Sequence, residues 1–129
     1  MPEQSRPGAD IDLIGLTKRF GGVAAVDGVD LHIDAGEFMT FLGPSGSGKT
    51  TTLNMIAGFL QPDAGDITVS GTSLLRTPTH KRNMGMVFQS YALFPHMTVA
   101  DNVAFPLKQR GVAKSERADL VASALATVQ

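Results

Sequence analysis

Residues 43–50 read GPSGSGKT, and no other stretch constrains this chain as strongly. They fit G-x-x-x-x-G-K-[ST], a loop that cradles phosphate. Gly46 and Gly48 carry no Cβ, so the backbone can approach an anion closely and turn successive N–H groups into one concavity. Lys49 supplies a point charge with the reach of a β- or γ-phosphate. The hydroxyl of Thr50 is of the type that ligates Mg²⁺ beside those phosphates. Pro44 has no N–H to donate and stiffens the entry to the loop.

The flanks supply the context such a loop needs. Residues 37–42 (EFMTFL) read as a short apolar strand. Residues 49–57 (KTTTLNMIA) read as a helix, with Leu53, Ile56 and Ala57 at helical spacing and Gly58 as its stop. Strand, glycine loop and helix in that order put the positive end of a helix against the phosphate position.

Composition narrows the rest. A net charge of −1 leaves no electrostatic footprint for nucleic acid. No apolar run approaches the roughly 18–20 residues that span a bilayer, and the polar start MPEQSRPGAD has no apolar core of a signal peptide. The absence of cysteine excludes disulfides and thiolate metal sites. Fourteen glycines, spread between short apolar runs, indicate many short elements.

Along the chain, residues 1–10 are expected to form a flexible tail. Residues 11–20 read as a strand broken by Gly21-Gly22, and Asp27-Gly28 between valines signals a hairpin turn. Residues 29–33 alternate, with His32 on a solvated face. Residues 66–70 (DITVS) and 84–88 (MGMVF) read as strands. The polar run holding His80, Lys81 and Arg82 is expected at the surface. Thr98 caps a helix that Pro106 should kink or end. Ser115 is expected to cap a last helix with Leu120, Val121, Ala124, Leu125 and Val128 in one stripe.

Taken together, FLGPSGSGKTTTLNMIAGF, DAGDITVSG and MGMVFQSYALFPHMTVADNVAFPL resemble the ATP-binding subunit of ABC transporters, from about Ile11 to Gln129. The likeness is greatest to the importer branch serving polyamines and iron(III), the polyamine group first. It implies an α/β fold: the N-terminal portion of an ABC-type nucleotide-binding domain of the P-loop NTPases. An antiparallel β-layer is joined there to the start of a parallel core sheet and of a helical subdomain. By this resemblance, residues 11–129 form an incomplete ATP-binding domain that ends before the signature segment and the Asp-Glu strand.

The same resemblance implies roles. Phe20 stacks on adenine. Gly43 and Pro44 open the nucleotide loop, and Ser45, Gly46, Ser47 and Gly48 offer N–H groups to phosphate. Lys49 binds the β- and γ-phosphates, Thr50 ligates Mg²⁺, and Thr51 touches the α-phosphate. Gln89 reaches Mg²⁺ and the attacking water. Residues 91–98, from Tyr91 to Thr98, line the groove that receives a permease helix. The implied ligands are ATP and Mg²⁺. The implied partners are a second ATP-binding subunit, head to tail, membrane-spanning permeases and, indirectly, a solute-binding protein, at the cytoplasmic face of the membrane.

The Asp-Glu pair, the signature segment and the switch histidine of the family do not occur in these 129 residues. The segment alone is therefore expected to lack turnover, and the chain to be a piece of a longer subunit or a truncated product. Two other readings stand beside the transporter ATPase. One is a nucleotide- or partner-binding module without hydrolysis. The other is a small-molecule kinase, against which the scattered arginines Arg76, Arg82, Arg110 and Arg117 offer no lid-like cluster.

Overall fold

A computed structural model describes residues 8–129; most of the expected tail, residues 1–7, lies outside them. The chain divides into two compact units between Met86 and Val87.

The first unit is built on a four-stranded antiparallel sheet of order β2-β1-β3-β4. Its strands are β1 (Ile11–Phe20), β2 (Val23–Ile33), β3 (Ala64–Val69) and β4 (Thr72–Ser73). Phe20 pairs with Val23 across Gly21-Gly22, whose φ values of 54° and 84° give the doubly positive turn that suits strand twist. That glycine pair, and not Asp27-Gly28, is the hairpin turn. Asp27 and Gly28 lie inside β2, where the register slips between the Leu16–Val29 and Lys18–Val26 pairs. The slip is an extra residue in β2, and the Thr17 hydroxyl accepts the Gly28 N–H at 3.0 Å. The strand at 66–70 is found as β3, and a second tight turn at Ser70-Gly71 adds the short β4 that the sequence reading omits.

His32 lies opposite Asp12 across the β1–β2 pair and is exposed, as expected. Its ring is not merely solvated. It contacts the Asp12 carboxylate at 2.5 Å and that of Asp34 at 3.2 Å.

One face of the sheet buries Leu13, Leu16, Val26 and Ile67 against Met55 and Ile56 of helix α1 (Lys49–Ala57), with Leu74 closing the cluster. The inward face of α1 is Thr52, Met55 and Ile56, an i, i+3, i+4 set. Leu53, expected inward, is 46% exposed, while Met55 is fully buried.

The largest departure from the sequence reading is Arg82. A short 3-10 turn, Thr79–Lys81, carries it inward. Its exposure is 8%, whereas its neighbours His80 and Lys81 are exposed as expected. The guanidinium donates to the carbonyls of Met55 and Ile56 at 2.9 Å each and to that of Thr77 at 2.9 Å. The hydroxyl of Thr79 donates to the Gly58 carbonyl at 2.8 Å. The last carbonyls of a helix have no partner within it and form its negative end, so a buried cation fits there. Burial lowers the arginine pKa, yet a guanidinium keeps its charge in proteins.

Residues 37–42 and 84–88, expected as strands, belong to no sheet among the described residues. Phe38 and Leu42 are 93% and 97% exposed. A strand needs a hydrogen-bonded neighbour, and the apolar composition of these segments alone does not provide one.

The second unit pairs α2 (Val99–Gln109) with α3 (Lys114–Thr127) across a groove of about 540 Å³ lined by Ala100, Ala104, Ala118, Val121 and Leu125. Thr98 caps α2 as expected, its hydroxyl accepting the Asp101 N–H at 3.1 Å. Pro106 does not end α2. It removes one bond, and the helix runs on until the Arg110 N–H closes on the Pro106 carbonyl at 3.1 Å, one residue before the turn at Gly111. The cap position of α3 is Ala113, not Ser115, and no side chain caps it. Of the expected stripe only Val121 is buried, and Val128 lies past the helix end.

Arg82→Ala removes the donor from two buried carbonyls and one half-buried one and should cost about 3 kcal/mol. Lys81→Ala should change stability by less than about 0.5 kcal/mol. Urea unfolding of both variants compares them directly. The Asp12 and Asp34 carboxylates hold the His32 pKa above its ordinary 6.5, the Asp12 hydrogen bond contributing most. A raised pKa in the folded state means that the His32 contribution is full below pH 6.5 and fades as pH rises through the folded value. The slope of stability against pH in that window should vanish in His32→Gln.

Candidate functional site

The glycine loop runs from Gly43 into the first turn of α1. Residues 44–46 are exposed, the Ser47 N–H closes a turn on the Pro44 carbonyl at 3.2 Å, and Gly48 occupies the cap position of α1 with φ 92°. A glycine has no side chain to cap the helix, and none caps α1. No acidic residue lies in its first turn. The first N–H groups of α1 are thus left for an outside acceptor, and the helix end is positive with no anion of its own.

Gly48 also seats the helix. A Cβ there would overlap the carbonyl oxygen of Ala25 and lie 3.3 Å from Val26 Cγ2. Ala25 is the extra residue where β2 slips register a second time, between Lys18–Val26 and Arg19–Ala24. The bulge brings the β2 backbone against the start of α1, and the sequence motif gives no hint of this contact. The Thr52 hydroxyl donates to the Gly48 carbonyl at 2.8 Å and fixes the same corner.

The ammonium of Lys49 turns back into the loop. It donates to the carbonyls of Gly43 and Pro44 at 2.5 and 2.8 Å and to the Ser47 hydroxyl at 3.1 Å. The Thr50 hydroxyl is exposed and hydrogen-bonds to nothing among the described residues, which leaves an oxygen available to a cation. Thr51 is half-buried in the same turn. An uncapped helix start, a lysine within the loop and a free hydroxyl one residue on fit a Mg²⁺-bound phosphate chain.

Phe20 is half exposed at the end of β1. Its strand partner Val23 lies two residues from Ala25, so β2 links the aromatic to the loop. Lys18 stands against it, and two further residues that the sequence reading passed over, Arg19 and Asp63, are linked to Lys18. The Lys18 ammonium stands 5.7 Å from the ring centroid and is bound to the Asp63 carboxylate at 3.0 Å. The other oxygen of Asp63 accepts the Arg19 N–H at 2.7 Å. Together the Arg19 amide, the stronger influence, and Lys18 hold the Asp63 pKa below its ordinary value.

Gln89 belongs to the second unit, outside any helix or strand, with its side chain exposed. The stretch 91–98 follows it. Tyr91 and Ala92 take left-handed backbone conformations, with φ 62° and 52°, which cost non-glycine residues about 1–2 kcal/mol each. Tyr91 and Leu93 stay exposed, at 74% and 68%. The stretch is nevertheless tied down. Asn102 of α2 accepts the Phe94 N–H at 2.9 Å and donates to the carbonyls of Phe94 and Thr98 at 3.2 and 2.9 Å. Phe94 and Phe105 pack at 4.7 Å between centroids. An apolar surface held rigid in this way is the kind that receives another protein. Asn102 is hard to find from sequence, because an asparagine inside a helix usually signals only lowered propensity.

A family model described as ABC transporter matches residues 26–129. The chain belongs to the ABC transporter family. The spermidine/putrescine import ATP-binding protein PotA of Nitrosomonas europaea is 57% identical over 119 residues, covering 92% of this chain and 33% of the relative. The protein of the same name from Rubrobacter xylanophilus is 50% identical over 127 residues, covering 98% of this chain and 33% of its own length. The chain thus spans about a third of the curated relatives it matches. Among solved structures, the ATP-binding cassette MJ0796, dimeric and bound to ADP and Pi in a post-hydrolysis state, superposes with a TM-score of 0.76 at 29% identity. It covers 88% of this chain and 54% of that one. A second structure of the dimeric cassette gives 0.72 at 32% identity. The fold is that of the ABC nucleotide-binding domain, and no helix among the described residues is long and apolar enough to cross a membrane.

Gly48→Ala must push the Ala25 carbonyl aside as well as strain its own backbone. It should destabilise the chain by about 1–3 kcal/mol. Gly46→Ala strains a φ of 79° but meets open space and should cost less, as thermal unfolding of the two will show.

Proposed function

We propose that this chain is the nucleotide-binding part of an importer ATPase that couples ATP binding and hydrolysis to uptake of polyamines. The observation that carries the reading is the uncapped start of α1, with Lys49 folded into the loop before it and the free hydroxyl of Thr50 beside it. The polyamine class follows from the names of the relatives and from nothing in the loop itself.

In this reading the N–H groups of residues 45–48 and of the first turn of α1 bind the phosphate oxygens, with Gly43 and Pro44 shaping the entry. Lys49 leaves its internal oxygens for the β- and γ-phosphates, and Thr51 meets the α-phosphate. Thr50 and Gln89 hold Mg²⁺, which when bound neutralises phosphate charge. Phe20 stacks on adenine, and Gln89 orients the attacking water. Positioning and charge stabilisation account for most of the catalysis in phosphoryl transfer. The chemistry further needs a carboxylate near the water and a clamp on the γ-phosphate from a facing subunit. Neither is found in these 129 residues, so the segment by itself binds nucleotide without turnover.

The partners that fit are a second ATP-binding subunit, head to tail, and membrane-spanning permeases. The latter dock on residues 91–98, where Tyr91 and Leu93 are exposed and Asn102 holds the backbone. A solute-binding protein takes part only through the permeases. Such an assembly puts the chain on the cytoplasmic face of the membrane, as a peripheral subunit with no role for nucleic acid.

Mg-ATP at a hundred times its Kd should stabilise the protein by about 2.7 kcal/mol, and Lys49→Ala should abolish that shift. The 129-residue segment should release no phosphate while showing the shift. Normal hydrolysis by the intact protein carrying Lys49→Ala would sink the assignment of the loop.

A further inference from the structure

We infer that Lys18 and Asp63 are positioning residues for the nucleotide base, acting through Phe20. The inference builds on the reading of Phe20 as the adenine platform and adds what holds that platform in place.

The pairing of β1 with β3 ends at Thr17 and Ala64, whereas β1 itself runs on to Phe20. Among the described residues, the last residues of β1 therefore have β2 on one side and no strand on the other. Asp63, the residue just before β3, takes the place of that strand. Its N–H donates to the Thr17 carbonyl at 2.8 Å, and its carboxylate accepts the Arg19 N–H at 2.7 Å, the group a longer β3 would have met. The second carboxylate oxygen binds the Lys18 ammonium at 3.0 Å.

Lys18 and Phe20 are two apart on a strand and share a face. The ammonium stands 5.7 Å from the ring centroid, within the range in which a cation is drawn to an aromatic face. A lysine on a four-carbon stem would otherwise roam. Here its side chain is only 14% exposed and its far end is bound by Asp63. The ring thus rests against a fixed cation, yet 51% of Phe20 stays exposed for a base to cover. A stacking surface fixed before binding spares the cost of ordering it during binding.

The test uses the intact protein and two probes, Mg-ATP and Mg-tripolyphosphate, titrated calorimetrically. Tripolyphosphate engages the loop and has no base. Phe20→Ala should weaken Mg-ATP about tenfold, within the range for loss of one base–aromatic stack, and leave tripolyphosphate unchanged. Lys18→Met and Asp63→Asn should each weaken Mg-ATP about two- to fivefold, the range for an exposed cation–aromatic contact, again without effect on tripolyphosphate. Lys18→Arg, which keeps a cation over the ring, should restore affinity. In a Phe20→Ala background the Lys18→Met effect should disappear.

Equal losses for both probes would mean that the pair merely supports the fold and would overturn the inference. So would a Lys18→Met protein that binds Mg-ATP like the parent while Phe20→Ala does not. A Phe20→Ala protein with undiminished Mg-ATP affinity would instead remove the adenine reading, and the inference with it. Mg-tripolyphosphate binding lost on Lys49→Ala shows independently that the loop is intact as a site.

Discussion

Helix α1 is gripped at both ends, and the first unit depends on that grip. At its start Gly48 lets the helix come down onto the bulged backbone of β2 at Ala25. At its finish Arg82 reaches the Met55 and Ile56 carbonyls. Between them Met55 and Ile56 fill the middle of the sheet face beside Leu13, Leu16 and Ile67. A nine-residue helix is too short to persist alone in water. Its position is set by these contacts and not by propensity. The phosphate loop takes its shape from the same arrangement, since the loop ends where the helix is seated.

What is legible in the sequence is what short-range chemistry decides. Glycine spacing and a lysine identify the loop, because only such residues let a backbone wrap an anion. The Thr98 cap and the helix after it follow from one hydroxyl and one carboxylate three residues apart. What is illegible is decided by partners distant in sequence. Asp27-Gly28 has the composition of a turn, but the ladder with β1 absorbs it as a bulge while Gly21-Gly22 makes the turn. Arg82 sits in a polar run and reads as surface; its burial depends on carbonyls 26 and 27 residues away. Residues 37–42 and 84–88 have strand composition without strand neighbours among the described residues, since apolar composition specifies neither pairing nor, at Phe38 and Leu42, burial.

The site divides along the same line. Residues 43–50 are contiguous, so one motif points to them, while Thr51 enters by resemblance. Phe20 is disclosed only by resemblance, and its neighbours Lys18 and Asp63 come together from 45 residues apart. Asn102 likewise shapes residues 91–98 from eight residues beyond Phe94. The residues proposed to meet a ligand or partner are the ones that sequence points to. The residues that hold them still emerge only from the folded chain.

Lys49 is hydrogen-bonded within its own loop. Three oxygens of residues 43–47 solvate its ammonium, so the cation is satisfied before any anion arrives. Entry of a phosphate is then a ligand exchange at nitrogen. Two carbonyls and a hydroxyl lose a donor as the anion gains one, and the net electrostatic gain is far smaller than that of a bare charge meeting a bare charge. An anion therefore gains the lysine only by replacing three hydrogen bonds that the loop already makes.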